Sequence, residues 1–182
     1  MDEQVEKAMA RWPNVPAAYG WLRLDRRGIW YLVDRNQPDF DEAVHGAGSP
    51  ITSSQIIEFI HRNYLHDDDG RWFWQNGPQR AFVDLDSAPM VLRVLGTGDD
   101  TALVTHTGLE VTQASGGWQG PEGEVLLETE HGPGVVHDLD LEALSPDEDD
   151  DGHAFIVLAG NRIVLQSLVN PSAELGWVAK PR

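Results

Sequence analysis

The richest set of binding groups lies in residues 71–80, RWFWQNGPQR. The amides of Gln75, Asn76 and Gln79 can each donate and accept hydrogen bonds. The forked guanidinium of Arg80 can bind one acceptor group through two donors. Aromatic residues beside a few such groups are typical of a cleft for a small molecule or a peptide. A structural role is the alternative, in which Asn-Gly-Pro forms a turn, the polar side chains face solvent and the tryptophans fill the core.

The preferred interpretation is a non-catalytic bacterial binding or protein-interaction domain. Its recognition surface combines the Gln75–Arg80 corner with the end of a helix predicted to stop near Asn63 and Tyr64. The predicted partner is an unknown protein or a small molecule. The candidate ligand- or partner-binding residues are Asn63, Tyr64, Trp72, Trp74, Gln75, Asn76, Gln79, Arg80 and His106.

Histidines suggest an alternative function, a small hydrolase-like or acid/base enzyme. His106 or His61 near the corner would be the proton-transfer group, and a carboxylate beside it in a cleft would support this role. No transition-metal site is predicted. His61 and His66 are five residues apart and do not share a helix face, and His131 and His137 flank a turn that implies no third ligand.

An acidic run suggests a second alternative, calcium binding at 147–153. The Asp-x-Asp-x-Asp-Gly pattern over 147–152 matches the first half of a calcium loop. The twelfth position of such a loop is Leu158, where a bidentate glutamate is needed. A self-repelling, solvated acidic loop over 145–153 accounts for the run better.

Several kinds of chemistry lack their motifs in this chain. It has no cysteine, which excludes disulfides, thiolate nucleophiles and the usual structural zinc sites. It has no Gly-x-Ser-x-Gly elbow and neither of the common glycine-rich phosphate loops. No catalytic residue, metal ligand or cofactor is therefore predicted.

Composition limits the partners and the location. The 182 residues carry a net charge of −17, which disfavours binding to nucleic acid or to an anionic membrane surface. No apolar run approaches the ~20 residues of a membrane span. Residues 1–10 lack the basic and apolar regions of a signal peptide. We expect a cytoplasmic monomer or homodimer.

The elements that hold these residues are predicted to form an α+β fold. Turns about every 8–15 residues, between alternating apolar runs, indicate mostly antiparallel β hairpins or a meander, packed with one main helix at about 51–65. A shorter helix is expected over 2–11. A single domain over 1–182 is predicted, with a possible subdivision into an aromatic-rich part, 12–112, and a β-hairpin part, 121–170.

One six-residue pattern, Asp-x-x-Gly-x-Trp, occurs twice, as DRRGIW over 25–30 and DDDGRW over 67–72. A polar turn with glycine, followed at once by an aromatic strand, predicts a hairpin corner. Reuse of Asp and Gly in hairpin corners explains two copies, and no repeat of fixed period is predicted.

Three segments carry a resemblance to a known family: WPNVPAAYGWLRLDRRGIW (12–30), FIHRNYLHDDDGRWFWQNGPQR (59–80) and THTG (105–108). They resemble an uncharacterised proteobacterial family of small proteins, classified as a domain of unknown function. The likeness covers roughly Arg11 to Leu144, and the acidic loop 145–153 departs from it. The resemblance implies a bacterial cytosolic protein and supplies no activity or site residue.

Overall fold

Three-stranded antiparallel meanders are the repeated element of the structure, a computed structural model that describes residues 1–182. The chain forms two compact units. The first unit consists of Met1–Asp25, Ile29–Asp86 and Gly176–Arg182, and the second of Arg26–Gly28 and Ser87–Leu175. The subdivision predicted at 12–112 and 121–170 stays a prediction.

The first unit holds a six-stranded sheet with the order β3-β2-β1-β6-β5-β4. Every neighbouring pair is antiparallel except β1 and β6, which run parallel. The elements are α1 (Glu3–Arg11), β1 (Ala18–Leu24), β2 (Trp30–Leu32), α2 (Glu42–His45), β3 (Ser49–Pro50), α3 (Ser54–Arg62), β4 (Tyr64–His66), β5 (Trp72–Asn76) and β6 (Gln79–Leu85).

The core of the first unit lies between α3 and one face of this sheet. Trp30 is 1% exposed and meets Tyr64 edge to face, with 5.1 Å between ring centroids. Ile60 of α3 is fully buried, and each such side chain contributes ~1.5–3 kcal/mol by leaving water. Asn63 joins the two long helices, since its Oδ1 accepts the Asp2 N–H (2.8 Å) and its Nδ2 donates to the Phe59 carbonyl (3.0 Å).

The second unit holds a nine-stranded sheet with the order β13-β14-β15-β10-β11-β12-β7-β8-β9. The pairs β7/β12 and β10/β15 are parallel and the others antiparallel. The strands are β7 (Met90–Leu95), β8 (Ala102–Thr105), β9 (Glu110–Val111), β10 (Ala114–Gln119), β11 (Val125–Thr129), β12 (Gly132–Val136), β13 (Asp147–Glu148), β14 (Ala154–Leu158) and β15 (Asn161–Ser167). Helix α4 (Pro171–Glu174) and 3-10 helices at Gly98–Asp100 and Asp138–Leu144 complete the unit.

The strands follow one another as five meanders: β1–β3, β4–β6, β7–β9, β10–β12 and β13–β15. In each unit, the first strand of one meander pairs in parallel with the last strand of the next. This rule gives the parallel pairs β1/β6, β7/β12 and β10/β15. The two units therefore share one plan, and the second unit extends it by one meander.

The prediction of a β-rich fold with a few helices is confirmed, but two of its details were imprecise. The parallel joins show that antiparallel pairing is not general. Helix α3 is also not a single main helix, because α1 has the same nine-residue length. The predicted helix at 51–65 is shorter in the structure, since Ser53 caps its start and Asn63 ends it. Tyr64 lies four residues after Ile60, a spacing that would place both on one helix face, but it belongs to β4.

Candidate functional site

The β5–β6 hairpin separates the predicted corner onto two faces of its sheet. Side chains alternate along a strand, and cross-strand partners share a face. Trp74, Asn76 and its partner Gln79 therefore lie on one face. Gln75 and its partner Arg80 lie on the other. The structure brings together two smaller groups of polar residues instead of one converging set.

Four of the predicted site residues are buried and serve the fold. Their exposed fractions are 0% for Asn63, 7% for Tyr64, 4% for Trp72 and 1% for Gln75. The Gln75 side chain donates from Nε2 to the Gly77 carbonyl (2.9 Å), which braces the turn. Burial raises the pKa of the Tyr64 hydroxyl well above its usual value. These four side chains therefore belong to the interior of the first unit and are not available to a partner at the surface.

The side chains that reach the surface form a small patch on the helix side of the hairpin. The half-buried Trp74 ring meets Phe59 of α3 edge to face, with 5.7 Å between centroids. Ile56, one turn earlier on α3, is 45% exposed. Asn76 is exposed beside Trp74, and Gln79 donates from Nε2 to the Pro16 carbonyl (3.0 Å). We call Ile56, Phe59, Trp74, Asn76 and Gln79 the Trp74 patch.

The opposite face of the hairpin presents a cation stacked on aromatic rings. The Arg80 guanidinium lies 4.6 Å from the centre of the Phe73 ring. The ring centroids of Phe73 and Phe82 are 5.6 Å apart, and the Arg71 guanidinium lies 5.1 Å from the centre of the Phe82 ring. Such stacking holds an arginine in place, so Arg80 has a structural partner although it is exposed.

The two candidate acid/base histidines lie in different units. His61 is half-buried on α3, 6.3 Å from the Trp30 ring. Burial lowers the pKa of His61, and the charge of Glu58 partly opposes this effect. His106 follows β8 in the second unit, and its Nδ1 accepts the Val91 N–H (3.2 Å). An acid/base role for either histidine stays a prediction.

The acidic loop places three possible metal ligands close together. Side-chain atoms of Asp149, Asp151 and His153 lie within 4.8 Å of one another. The Asp149 carboxylate already accepts the backbone N–H groups of Asp151 (3.1 Å) and His153 (2.8 Å), and Arg162 pairs with it at 2.5 Å. The His153 N–H is the main cause that lowers the pKa of Asp149. Calcium binding there stays a prediction.

A cavity of about 460 Å³ in the second unit was not predicted from sequence. Its walls come from β10, β11, β13, β14, β15 and the 3-10 helix at Asp138–Leu144. The residues that line it come from separate segments of the chain, such as the acidic β13 and the apolar β11. No single stretch of sequence therefore indicates the cavity. We call this the β13 cavity.

No helix of the structure has the length and apolar character that crossing a membrane requires. A search of curated proteins gave no match.

Two solved structures are similar to this chain. The crystal structure of a DUF1285 family protein from Silicibacter pomeroyi DSS-3 is similar, with a TM-score of 0.55 and 16% identity over 92% of this chain and 97% of that chain. A DUF1285 family protein from Shewanella baltica OS155 gives a TM-score of 0.44 and 13% identity, over 65% of this chain and 85% of that chain. At this identity the first likeness concerns the fold alone.

A family model named DUF2944 and described as "Protein of unknown function (DUF2946)" matches residues 1–182, including the acidic stretch 145–153. The match confirms the resemblance, based on three segments, to an uncharacterised family. The chain belongs to this family of proteins of unknown function.

Proposed function

We propose that the protein is a non-catalytic bacterial binding domain whose Trp74 patch contacts a protein partner. The observation that carries the proposal is a half-buried tryptophan held edge to face by Phe59, with exposed apolar and amide groups beside it. Tryptophan held in this way loses little freedom on binding and is enriched among residues that dominate interfaces. We further propose a cytoplasmic location, as a monomer or homodimer.

The chemistry of the patch suggests what the partner presents. All five patch residues are uncharged, and the two amides can pair with both N–H and C=O groups of a peptide backbone. The ring and Ile56 offer apolar area that a partner can cover. The net charge of −17 favours a partner that is neutral or basic around the contact. The partner therefore presents an apolar side chain beside free peptide groups.

Site-specific crosslinking tests the proposal. Benzoylphenylalanine replaces Asn76 in the full chain in bacterial cells, and replaces Gln166 of β15 as a control site. The crosslinked protein is identified, purified and titrated against the wild type and against Ile56→Asp. The matched control is Val164→Asp, since Val164 is 47% exposed and Ile56 is 45% exposed.

We expect one protein to crosslink at position 76 but not at 166. We expect its affinity to fall about tenfold or more in Ile56→Asp, because a charge then enters an apolar contact, and to stay unchanged in Val164→Asp. Identical crosslinks at both positions, or equal affinities for both variants, would overturn the proposal.

A further inference from the structure

We propose that Asn76 is a site of spontaneous modification, at which the side-chain amide is lost and an aspartate or isoaspartate residue is left. The peptide nitrogen of Gly77 is the attacking atom. Asparagine is one of the chemically labile residues of proteins. Two obstacles protect most asparagines in a folded chain, and the turn between β5 and β6 removes both. The modification itself does not depend on the proposed function.

The first obstacle is crowding at the residue that follows the asparagine. The peptide nitrogen of that residue must reach the side-chain carbonyl carbon, and a Cβ hinders its approach. Asn76 precedes glycine, which has no Cβ. Gly77 has a φ of +57°, and no atom lies within 4 Å of the place that a Cβ would take. Every other asparagine precedes a residue that has a Cβ. These are Asn14, Asn36, Asn63, Asn161 and Asn170.

The second obstacle is hydrogen bonding of the two reacting groups. Asn76 is exposed, and its side chain takes part in no hydrogen bond within the chain. The Gly77 N–H also donates to no group of the chain. The turn is braced through the Gly77 carbonyl instead, which accepts from Gln75 Nε2 (2.9 Å). Both the amide and the nitrogen that attacks it are therefore free to react.

Two Asp-Gly sequences, at 69–70 and 151–152, show the opposite arrangement. An aspartate before glycine can form the same five-membered ring through its carboxyl group. In these two turns, however, the glycine N–H donates to a backbone carbonyl, that of Asp67 (3.1 Å) and that of Asp149 (2.9 Å) respectively. The attacking nitrogen is thus held in a hydrogen bond at both places. The structure therefore distinguishes 76–77 from the other sequences of this kind.

The reaction needs no co-reactant except water and hydroxide. The Gly77 nitrogen loses its proton to hydroxide and forms a bond to Cγ of Asn76. The bond from Cγ to Nδ2 breaks, and the side-chain nitrogen takes a proton from water and leaves as ammonia. Water then opens the ring at one of its two carbonyl carbons. Opening at Cγ leaves aspartate, and opening at the main-chain carbonyl carbon leaves isoaspartate, whose peptide link runs through Cγ.

Both products change the Trp74 patch, and this consequence rests on the proposed function. A carboxylate replaces the neutral amide beside Trp74, and isoaspartate also lengthens the main chain at the last pair of the hairpin, Asn76 with Gln79. The patch loses a donor for a peptide carbonyl and gains a charge that a partner must desolvate. We expect the modified chain to bind the crosslinked partner about threefold or more weakly. Equal affinity of the modified and fresh chains would contradict this consequence alone.

Mass spectrometry of the folded full chain tests the modification. The chain is held at mildly alkaline and at mildly acidic pH, and peptides that contain Asn76 or Asn36 are followed over time. We expect the mass change from amide to acid at Asn76, faster at alkaline pH because the attacking nitrogen must lose its proton. Asn36 is also exposed but precedes glutamine, so it is the internal control. No change at Asn76, or equal rates at both asparagines, would overturn the proposal.

A capped peptide of residues 73–80 separates the effect of the fold from that of the sequence. We expect the folded chain to react within about tenfold of the rate of the peptide, because the end of a hairpin opens at almost no cost in free energy. A folded chain that reacts more slowly than this would show that β5 and β6 protect the amide. The site would then belong to the unfolded chain only, and the proposal would be wrong.

Two alanine variants identify the attacking nitrogen. Gly77→Ala places a Cβ in its path without contacting another part of the chain, and we expect a rate that is lower by about tenfold or more. The control is Gly123→Ala, since Gly123 also has a positive φ, of +84°, and open space around it. We expect this variant to react at Asn76 as fast as the wild type. An unchanged rate in Gly77→Ala, or equal slowing in both variants, would contradict attack by the Gly77 nitrogen.

Discussion

Trp74 combines a half-buried ring with a polar group that lacks an acceptor. Its Nε1 is buried and has no hydrogen-bond partner, and a buried unsatisfied donor costs ~1–3 kcal/mol. Trp74→Phe removes this N–H and keeps a ring against Phe59. We therefore expect its free energy of unfolding to stay within about 1 kcal/mol of the wild type or to rise.

Trp74→Ala is the comparison, because it removes the ring as well. We expect the free energy of unfolding to fall by about 2 kcal/mol, less than for a fully buried tryptophan. Urea unfolding measures both variants. A loss in Trp74→Phe as large as that in Trp74→Ala would mean that the N–H has an acceptor after all.

Glu130 gives a pH-dependent prediction. Its carboxylate accepts the Thr112 hydroxyl (2.7 Å) and the Thr112 N–H (2.6 Å), which lowers the pKa of Glu130 to about 2. Because the pKa is depressed in the folded protein, the stabilising contribution is complete above the ordinary glutamate pKa of about 4.3. It is lost as the pH falls from there towards 2.

The measurement compares the wild type with Glu130→Gln between about pH 6 and pH 2. We expect the variant to be less stable at the higher pH and the difference to shrink as the pH falls. Glu142→Gln, at an exposed position, is the control. A difference that is constant across this range would show that the carboxylate charge is not what holds Thr112.

The candidate site was only partly predictable from its residues. The sequence locates the Gln75–Arg80 turn, because Asn-Gly-Pro is a strong turn signal. It cannot show that Gln75 turns inward and bonds the Gly77 carbonyl, since a glutamine next to a turn is usually solvated. Nor can it show that the side chains of Phe59 and Ile56 reach the surface, since this depends on how α3 lies on the sheet.

At the scale of elements, one five-residue turn recurs in five hairpins. The N–H of its first residue donates to the carbonyl of the fifth, and its fourth residue is a glycine with φ between +73° and +86°. In four copies a side-chain oxygen of the first residue, Asp or Thr, accepts the N–H of the fifth. The turns span 25–29, 67–71, 105–109, 120–124 and 149–153.

Two glycines of this turn form a matched pair for mutation. Gly70 and Gly123 have φ of +73° and +84°, so an alanine at either position costs ~1–2 kcal/mol in backbone strain. A Cβ at Gly70 would also overlap the Gly176 carbonyl oxygen, whereas Gly123 faces open space. We expect Gly70→Ala to lose clearly more stability than Gly123→Ala in urea unfolding. Equal losses of stability would show that the segment around Gly176 shifts away from the new Cβ at little cost in free energy.

The same turn bears on calcium. The loop 149–153 repeats the hydrogen bonds of 67–71, where Arg71 occupies the fifth position. The same hydrogen bonds therefore belong to a turn type that the chain uses elsewhere, and Arg162 already supplies a positive charge to Asp149. We expect millimolar calcium to leave the melting temperature unchanged. A rise that a chelator reverses would establish the metal site.

Strand β10 shows why a local sequence pattern does not identify every strand. Its sequence, Ala114–Gln119, contains Gly116 and Gly117, and glycine weakens a strand pattern. The structure gives the reason for both glycines. A Cβ at Gly116 would overlap the Trp118 ring, and one at Gly117 would lie 2.7 Å from Ile163. Neighbouring side chains leave no room for a Cβ at either position, and a local sequence pattern cannot show this.

At the scale of the whole molecule, the arrangement of the meanders explains the doubled Asp-x-x-Gly-x-Trp pattern. Its copies over 25–30 and 67–72 occupy the first turn of the first and second meanders, β1–β3 and β4–β6. They are equivalent positions in a repeated plan, although only the turn keeps a recognisable sequence. The other meanders preserve strand order and parallel joins without the tryptophan, which explains why no repeat of fixed period was predicted.

Each unit has its own buried core, and this leads to a prediction about local stability. Trp177 is 6% exposed in the first unit, where Val178 donates to the Gly70 carbonyl (2.9 Å) and Leu85 to that of Ala179 (2.8 Å). Leu144 is fully buried in the second unit. Trp177→Ala and Leu144→Ala should each cost roughly 2–5 kcal/mol.

We expect the two variants to accelerate hydrogen exchange in different sets of amides. Trp177→Ala should raise exchange most in β5 and β6, because the segment 176–182 bonds to Gly70, just before β5, and to Leu85, the last residue of β6. Leu144→Ala should raise it most in β7 and β14, which both pack near the 3-10 helix that carries Leu144. Exchange followed by mass spectrometry on the full chain measures both patterns. If both variants accelerate the same amides to the same extent, the two cores open as one cooperative structure and not as separate units.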